Sequence, residues 1–142
     1  MSRSVACIDF RQGKVFIAKR QNKGDMGGRW EFPGGKIDGD EDFVTAIKRE
    51  MSEEFGVEVE VFEKLCEVTF EHKGRECFVD AFKVHFLEDG MKRHFNLTEH
   101  TDYKWESYSK IPTLNFVDSD IKIYKNLLLS AFCIFLYQNL RN

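Results

Sequence analysis

The sequence predicts an α+β fold, an α/β/α sandwich in which helices cover a mixed central β-sheet. Two segments have the apolar periodicity of a helix, whereas the stretches before and between them are short apolar runs bounded by turn residues. Strands, a helix, further strands and a second helix are typical of this class. We expect one domain, residues 1–142, because a chain of this length forms one core and contains no low-complexity linker.

The composition is that of a globular protein. Apolar residues make up 42% of the chain and aromatic residues 14%, far more than in disordered chains. The formal net charge of −3 gives no attraction to nucleic acid or to an anionic membrane, so we expect neither as a partner. The four cysteines are scattered and no signal peptide opens the chain, which predicts reduced thiols and a cytoplasmic location.

The first third of the chain is predicted to form strands. Residues 4–10 and 14–20 are apolar runs separated by residues 11–13, a pattern typical of a hairpin. Lys19 and Arg20 end the second run, where they are candidates to hold substrate phosphates. Residues 21–29 contain three glycines and few apolar side chains, which predicts a loop that can close over a ligand. The backbone then returns to an extended conformation.

The first helix is predicted to begin at Asp40, as N-cap, and to end at Gly56, a C′ residue in the left-handed conformation. Glu41 and Asp42 then lie in the first turn, where the helix dipole favours negative charge. One face of the helix is apolar and is expected to contact the protein body. Its residues are Phe43, Val44, Ile47, Met51 and Phe55.

Three carboxylates share the adjoining face of this helix. Glu50, Glu53 and Glu54 stand at i, i+3 and i+4, where like charges repel and weaken a helix by a few tenths of a kcal/mol per pair. A cation among them would offset that cost, and ligation by oxygen alone suits Mg²⁺, with Mn²⁺ as an alternative. For an isolated acidic pair, a solvated helix face would be the better interpretation.

After the helix, strands are predicted at residues 58–62, 64–71 and 76–86, with a turn at 72–75. A loop at 87–92, a short strand at 94–97 and an extended piece at 105–108 follow.

A second helix opens at Asp118 and Ser119 and runs from Asp120 to about Asn139. Residues 127–137 are apolar nearly all round, but eleven residues fall short of the roughly 20 needed to span a bilayer. We expect a buried helix whose far end can meet a second subunit, giving a monomer or a homodimer.

The spacing around the carboxylates is more specific than the carboxylates themselves. Gly35 is followed after five residues by Glu41, and after seven more by Arg49-Glu50-Met51-x-Glu53-Glu54-x-Gly56-Val57. With all seven fixed identities and both apolar positions present, this segment resembles the complete box of the Nudix hydrolases. Residues 30–38 are similar to the segment that leads into the box in the MutT type of that family. The resemblance extends over most of the chain.

The resemblance implies a Nudix fold and Mg²⁺-dependent hydrolysis of a nucleoside diphosphate linked to another group. In the MutT type, water attacks phosphorus of a nucleoside triphosphate and releases the monophosphate and pyrophosphate. The alternatives are a non-catalytic nucleotide sensor or a Nudix hydrolase of another substrate. Residues 71–75 lack the proline and the tyrosine associated with ADP-ribose and dinucleoside polyphosphate hydrolases. An RNA-end pyrophosphohydrolase is disfavoured by the acidic charge balance.

The same resemblance assigns roles to individual residues. The implied metal ligands are Glu50, Glu53, Glu54 and the carbonyl of Gly34. The implied catalytic residues are Glu50, Glu53, Glu99 and Arg49, with the general base left open among the three glutamates. The implied substrate-binding residues are Arg20, Glu31, Phe32, Gly34, Gly35 and Asp120. Gly35, Glu41 and Gly56 are implied to shape the box, and Arg49 to pair with Glu41.

Asp120 departs from the MutT type, which has a base-reading asparagine at the matching position. Because an ionised aspartate only accepts hydrogen bonds, it suits the N1–H and 2-amino edge of guanine or the 4-amino group of cytosine. Both 8-oxo-dGTP and cytosine nucleotides (CTP, dCTP or a methylated form) therefore stay candidates. In the alternative interpretation, Asp120 complements the helix dipole and touches no ligand. For stacking on the base, Phe32 is favoured over Trp30, Phe78 and Phe82, which are more typical of a core.

Overall fold

The computed structural model describes residues 2–87 and 99–141, with the side chains of the last helix described as far as residue 129. The chain folds into eight strands and two α-helices in this part. The strands are β1 (Ser2–Ile8), β2 (Phe10–Arg11), β3 (Lys14–Arg20), β4 (Trp30–Glu31), β5 (Gly34–Lys36), β6 (Val59–His72), β7 (Arg75–Phe86) and β8 (His100–Ser107). The helices are α1 (Phe43–Phe55) and α2 (Asp118–Arg141), preceded by a 3₁₀ helix at Tyr108–Thr113.

The strands form two four-stranded sheets. The first has the order β5-β1-β7-β6, and its β1–β7 pair is parallel whereas its other pairs are antiparallel. In the second, β3 pairs antiparallel with β2, β4 and β8. The predicted α+β class with mixed strand pairing is confirmed, although the strands are divided between two sheets.

Helices cover both faces of β1, because its side chains alternate between two apolar clusters. Val5 and Cys7 pack with buried residues of α1, whereas Ala6 and Ile8 pack with Ile123 and other residues of α2. The predicted sandwich of helices around a sheet is confirmed by this alternation. The β1 strand therefore lies at the centre of the molecule, between the two helices.

The predicted first strand, residues 4–10, is interrupted at Asp9. Strand β1 ends at Ile8, and the chain then crosses to the second sheet. Of the predicted strand 4–10, only Phe10 belongs to that sheet, in the short strand Phe10–Arg11 that pairs with β3. The Asp9 carboxylate stabilises the crossing because it accepts a hydrogen bond from the backbone N–H of Phe86 at 3.0 Å and pairs with Arg11. The hairpin prediction is right for residues 10–20 and wrong for the residues before them.

The predicted strands 58–62 and 64–71 form one strand, β6, whose pairing with β7 shifts register twice between Val61 and Cys66. These bulges explain the irregular apolar pattern that suggested two strands. The turn between β6 and β7 is confirmed, with positive φ at Lys73 and Gly74 (51° and 74°) as in type I′ hairpins. Strand β8 begins earlier than predicted, at His100. Of the predicted loop 87–92, only Leu87 belongs to the described residues. The predicted strand 94–97 lies entirely outside them.

Helix α1 begins two residues later than predicted. Its N-cap is Asp42 and not Asp40, because Oδ1 of Asp42 accepts a hydrogen bond from the backbone N–H of Thr45 at 2.7 Å. Glu41 therefore precedes the helix, where its side chain can turn toward Arg49. The predicted end is confirmed, since Gly56 is left-handed with φ 63°.

Helix α2 begins at Asp118 and is buried along one side near its start, where Ile123 is fully enclosed. The prediction of a helix buried all round is wrong at Leu128 and Leu129, which are 49% and 65% exposed. The rest of the apolar run lies beyond the described side chains. Within the described residues, no helix has the length and apolar character that a membrane span requires.

Candidate active site

A cavity of about 1340 Å³ lies between α1, β5, the β6–β7 hairpin and the start of α2. It brings together most of the residues implied as ligands or catalytic groups: Arg20, Glu31, Phe32, Gly34, Gly35, Glu50, Glu53, Glu54, Glu99 and Asp120. The remaining three, Glu41, Arg49 and Gly56, do not line it. The site residues thus come from five different segments of the chain and meet in one space.

The acidic end of the cavity is one face of α1. Glu50 and Glu54 point inward and are nearly enclosed, whereas the side chain of Glu53 stands at the rim and is 60% exposed. Glu99, just before β8, is exposed and lines the same end. Four carboxylates therefore surround this end: Glu54 is buried, Glu50 is partly buried, and Glu53 and Glu99 are exposed to water.

Two glycines let the β5 backbone approach this helix face closely. A Cβ at Gly35 would lie 2.4 Å from Cδ of Glu50 and 2.5 Å from each of its carboxyl oxygens. A Cβ at Gly34 would lie 2.0 Å from the carbonyl oxygen of Val5. Real atoms do not approach so closely, so a side chain at Gly34 would meet backbone that has to move, whereas one at Gly35 would displace the carboxylate of Glu50.

Arg49 ties the segment before α1 to the helix. Its Nε donates to Glu41 at 3.1 Å, its Nη2 donates to Glu41 and to the carbonyl of Lys36, and its Nη1 contacts Glu50 at 3.0 Å and Glu53 at 3.3 Å. The hydrogen bond from Arg49 also holds the pKa of Glu41 below its usual range. The structure thus brings together the pair that the resemblance implied.

Burial, with a further contribution from the neighbouring charges of Glu50, Glu99 and Glu31, raises the pKa of Glu54 to about 9. Burial also raises the pKa of Glu50. Oε2 of Glu54 is buried and has no hydrogen-bond partner among the residues that the structure describes. A buried, unpaired carboxylate oxygen among like charges is unfavourable, and a bound cation would relieve it.

The donors at this end suit a hard divalent cation, since all of them are oxygens. Among the described side chains, those of residues 2–87 and 99–129, no three acidic, histidine or cysteine side chains converge closely enough to enclose an ion by themselves. Mg²⁺ is usually held by one or two carboxylates, with waters and substrate phosphates completing its shell.

A chain of polar contacts runs behind the carboxylates. Nη1 of Arg20 donates to Oε1 of Glu31 at 3.0 Å, and Oε2 of Glu31 lies 2.8 Å from Nε2 of His100. His100 is the first residue of β8, and its side chain is 3% exposed. We did not single out His100 from the sequence, although its position directly after Glu99 was an available signal.

Asp120 lines another part of the cavity wall, in the first turn of α2. Its Oδ2 accepts a hydrogen bond from the backbone N–H of Phe32 at 2.9 Å, and its Oδ1 accepts one from the Ser119 hydroxyl at 3.1 Å. Burial, with a further contribution from the charge of Glu31, raises the pKa of Asp120 to about 7. Asp120 is therefore both a first-turn acid and a buried group of the cavity wall.

Of the aromatic residues considered for stacking, only Phe32 lines the cavity, where its ring packs edge-on against Phe116 at 5.1 Å. Phe82 packs in the core against Phe43, and Phe78 lies under the guanidinium of Arg3. Trp30 contacts Lys104 outside the cavity. Phe70 of β6 also contributes to the wall and was missed, because the direction of its side chain depends on the bulges in that strand.

The wall formed by the β6–β7 hairpin is basic. His72, Lys73 and Arg75 lie on it, and Lys122 of α2 lies nearby. Glu71 of the same hairpin also lines the cavity, so that this wall carries an excess of cationic side chains over carboxylates, the opposite of the α1 face. The overall charge of the chain gave no indication of this local separation.

Comparison with known proteins identifies the family. The family model described as NUDIX domain matches residues 1–127. A CTP pyrophosphohydrolase of Escherichia coli (strain K12) is 33% identical over 119 residues, 84% of this chain and 85% of that protein. An 8-oxo-dGTP diphosphatase of Proteus vulgaris is 39% identical over 74 residues, 52% of this chain and 66% of that protein.

The fold agrees with that match. The solution structure of the E. coli ORF135 protein superposes with a TM-score of 0.78 at 31% identity, covering 91% of this chain and 89% of that one. Nudix hydrolases act on nucleotide substrates and generally use divalent metals, in keeping with the oxygen ligands of the acidic end. Since the family model covers most of the sequence and the complete box runs from Gly35 of β5 through α1 to Val57, this chain belongs to the Nudix hydrolases and resembles their MutT members.

Proposed function

We propose that this Nudix hydrolase is a Mg²⁺-dependent nucleoside triphosphate pyrophosphohydrolase of the MutT type, which releases a nucleoside monophosphate and pyrophosphate. The observation that carries the proposal is that one cavity is lined both by Glu54, whose Oε2 has no hydrogen-bond partner among the described residues, and by the buried carboxylate of Asp120. Such a space has a place for phosphates at one end and for a base at the other. The names of the two similar enzymes, one acting on CTP and one on 8-oxo-dGTP, agree with this.

A triphosphate and the acidic end repel each other unless cations lie between them. Glu50, Glu53, Glu54 and the carbonyl of Gly34 are the groups that would hold Mg²⁺, with Mn²⁺ as a possible substitute. When bound, the metal supplies positive charge for the phosphates and lowers the pKa of a water molecule. To hold the metal at neutral pH, Glu54 would have to release the proton that burial and the neighbouring charges favour.

The rim carboxylates are the better candidates for accepting the proton of the attacking water. Glu53 and Glu99 are exposed, so water reaches them, whereas Glu50 is enclosed and hydrogen-bonded to Arg49. We assign the ligand role mainly to Glu50 and Glu54 and the proton-accepting role to Glu53 or Glu99. Arg49 keeps Glu50 in place, and Arg20, half-exposed beside Glu31, is placed to contact a phosphate.

Asp120 is proposed to select the base. Each of its oxygens already accepts one hydrogen bond from the protein and keeps one lone pair for a ligand. The ionised form can accept from the 4-amino group of cytosine or from N1–H and the 2-amino group of guanine. We place CTP first because the relative that covers 84% of this chain is a CTP pyrophosphohydrolase, and 8-oxo-dGTP second.

Pyrophosphate release with Mg²⁺ over a panel of nucleotides tests the proposal. The panel contains CTP, dCTP, 5-methyl-dCTP, dGTP, 8-oxo-dGTP, ADP-ribose and 5′-triphosphorylated RNA, with Glu54→Gln as control. Turnover of one triphosphate that is lost in the variant would support the proposal, and the preferred base would test the role of Asp120. Tight nucleotide binding without any turnover would refute it and favour a nucleotide sensor.

A further inference from the structure

His100 stands between two carboxylates that belong to different parts of the site. On one side, its Nε2 lies 2.8 Å from Oε2 of Glu31. On the other side, its Nδ1 lies 3.7 Å from Oε2 of Glu54. Nδ1 and that oxygen are both buried, and neither has a hydrogen-bond partner among the described residues. Two unsatisfied polar atoms that face each other in a buried place indicate a contact that closes when either side chain makes a small movement.

The imidazole is held in this position by packing. Its ring stacks on the ring of Phe55 with 5.2 Å between the centroids and 24° between the planes. The backbone is fixed as well, because His100 pairs with Arg20 in the β3–β8 ladder and the carbonyl of Glu99 accepts from the N–H of Gln21. With the ring fixed, its two nitrogens can point only at these two carboxylates.

We infer that His100 is a positioning residue, which holds Glu54 for cation binding through Nδ1 and holds Glu31, and hence Arg20, through Nε2. This rests on the proposed function for the roles of Glu54 and Arg20. Carboxylates that bind metal ions are commonly oriented by a hydrogen bond from an outer residue, and loss of that residue weakens metal binding. A histidine used only for core packing would not have both nitrogens directed at acidic groups of the cavity.

Two amide substitutions separate the contacts. His100→Asn retains a polar atom close to the Nδ1 position and loses the one at Nε2, whereas His100→Gln does the reverse. His100→Phe removes both and keeps the ring stacked on Phe55. The first readout is the affinity of the nucleotide-free protein for Mn²⁺, followed by electron paramagnetic resonance. The second is the KM for the nucleotide, and the third is the melting temperature in EDTA.

We expect His100→Gln and His100→Phe to weaken Mn²⁺ binding about 10- to 100-fold, and His100→Asn to stay within about threefold of wild type. His100→Asn should instead raise the KM for the nucleotide, because Glu31 no longer orients Arg20. In a Glu54→Gln background, His100→Gln should have no further effect on Mn²⁺ affinity, since the contact acts through Glu54.

Equal Mn²⁺ affinity in all the His100 variants would overturn the inference. An equal loss of affinity in the Asn and Gln variants, matched by equal falls in melting temperature, would also overturn it, because histidine would then serve the fold alone. In either case, turnover by the wild-type enzyme would leave the proposed function standing. A wild-type protein that neither binds Mn²⁺ nor hydrolyses any nucleotide would refute both.

Discussion

The two ends of the cavity are built in opposite ways. At the acidic end, Glu50, Glu53 and Glu54 come from five consecutive residues of one helix and depend on its periodicity alone for their common face. At the base end, Asp120 comes from the start of α2 and receives its hydrogen bond from Phe32, 88 residues away in the sequence. The three helix carboxylates of the acidic end are thus a local product of the chain, although Glu99 joins them from a distant segment, whereas the proposed base end exists only when distant segments are assembled. This difference predicts that substitutions at the acidic end remove the reaction, and that those at the base end change the choice of substrate.

The largest effect is expected for Glu54→Gln. Loss of this carboxylate should lower kcat by on the order of 10³-fold, since stabilisation by a bound metal is worth several kcal/mol. The metal-free variant should nevertheless melt at a higher temperature than the wild type. Because the pKa of Glu54 is raised from 4.5 to about 9 on folding, the stability of the metal-free wild type falls as pH rises through that range, and glutamine has no such proton to lose.

The measurements for this variant are pyrophosphate release and thermal unfolding in EDTA at pH 6 and pH 9. Glu53→Gln is the matched control, because its side chain is 60% exposed and should alter kcat with little change in melting temperature. A Glu54→Gln protein that retains wild-type turnover would show that the acidic end does not carry the reaction.

Alanine substitutions at two adjacent glycines should have different effects, one mainly on activity and the other mainly on stability. Gly35→Ala forces the carboxylate of Glu50 to move and should lower kcat/KM by roughly 10²-fold, as misplacement of a reacting group by about 1 Å does. Gly34→Ala meets the backbone of Val5, which cannot move aside, and should destabilise the fold by about 1–3 kcal/mol. Urea unfolding beside steady-state kinetics distinguishes them, and equal stability losses in both variants would contradict the expectation.

Asp120→Asn should change the base preference by about 10- to 100-fold while leaving kcat for the best substrate within an order of magnitude, because a buried acceptor is replaced by a group that also donates. Asp118→Asn is the control. It lies in the same turn of α2, but its side chain is 74% exposed and pairs with Arg29. If Asp120 merely complemented the helix dipole, the two variants would behave alike and selectivity would not change.

Asp120 also gives the base end its own pH dependence. Because the pKa of Asp120 is raised from 3.8 to about 7 on folding, its contribution makes the protein less stable as pH rises between these values, and the effect is complete above pH 7. The ratio of kcat/KM for two competing bases should change near pH 7 in the wild type and stay constant in Asp120→Asn. A ratio that varies with pH in both proteins would assign the titration to another group.

The smallest effect is expected on the basic wall. Lys73→Gln combined with Arg75→Gln should raise the KM for a triphosphate about two- to fivefold without changing kcat, as exposed charges contribute little and are screened by salt. The difference should shrink as NaCl is raised to 0.5 M. A double variant with an unchanged KM at low salt would show that the nucleotide does not approach this wall.

The three helix carboxylates of the acidic end could be predicted from the sequence because they are close together in it, whereas Glu99 is implied there only by the family resemblance. The end of α1 at Gly56 was predicted correctly, and the row of glutamates on one face follows from helical geometry. The start of α1 was misplaced because Asp40 and Asp42 both make good N-caps. Asp42 is the N-cap because the neighbouring Glu41 must stay outside the helix for its side chain to reach Arg49.

The rest of the site depends on pairings that the sequence does not state. The contact between His100 and Glu31 spans 69 positions, and it exists because β3 pairs with both β4 and β8. The aromatic part of the cavity wall depends in the same way on the register of β6. The residue found there is Phe70, and not Phe78 or Phe82. Periodicity predicts which side chains share one face of a strand, but the residues that this face contacts are determined only when the sheet is assembled.

The central position of β1 has a consequence for the synthesis of the protein. Residues 2–8 pair with residues 77–83 of β7, so this early strand cannot find its parallel partner until about 75 more residues have been added. At roughly 5–20 residues per second, that interval lasts on the order of 4–15 s. During that time the backbone N–H and C=O groups of β1 on the side of β7 stay unpaired, although α1 has already been synthesised. The order of translation therefore leaves open, in the nascent chain, the edge of a strand whose residues Val5–Ile8 are buried in the finished enzyme, and it makes this interval the period in which the newly made protein most needs protection from aggregation.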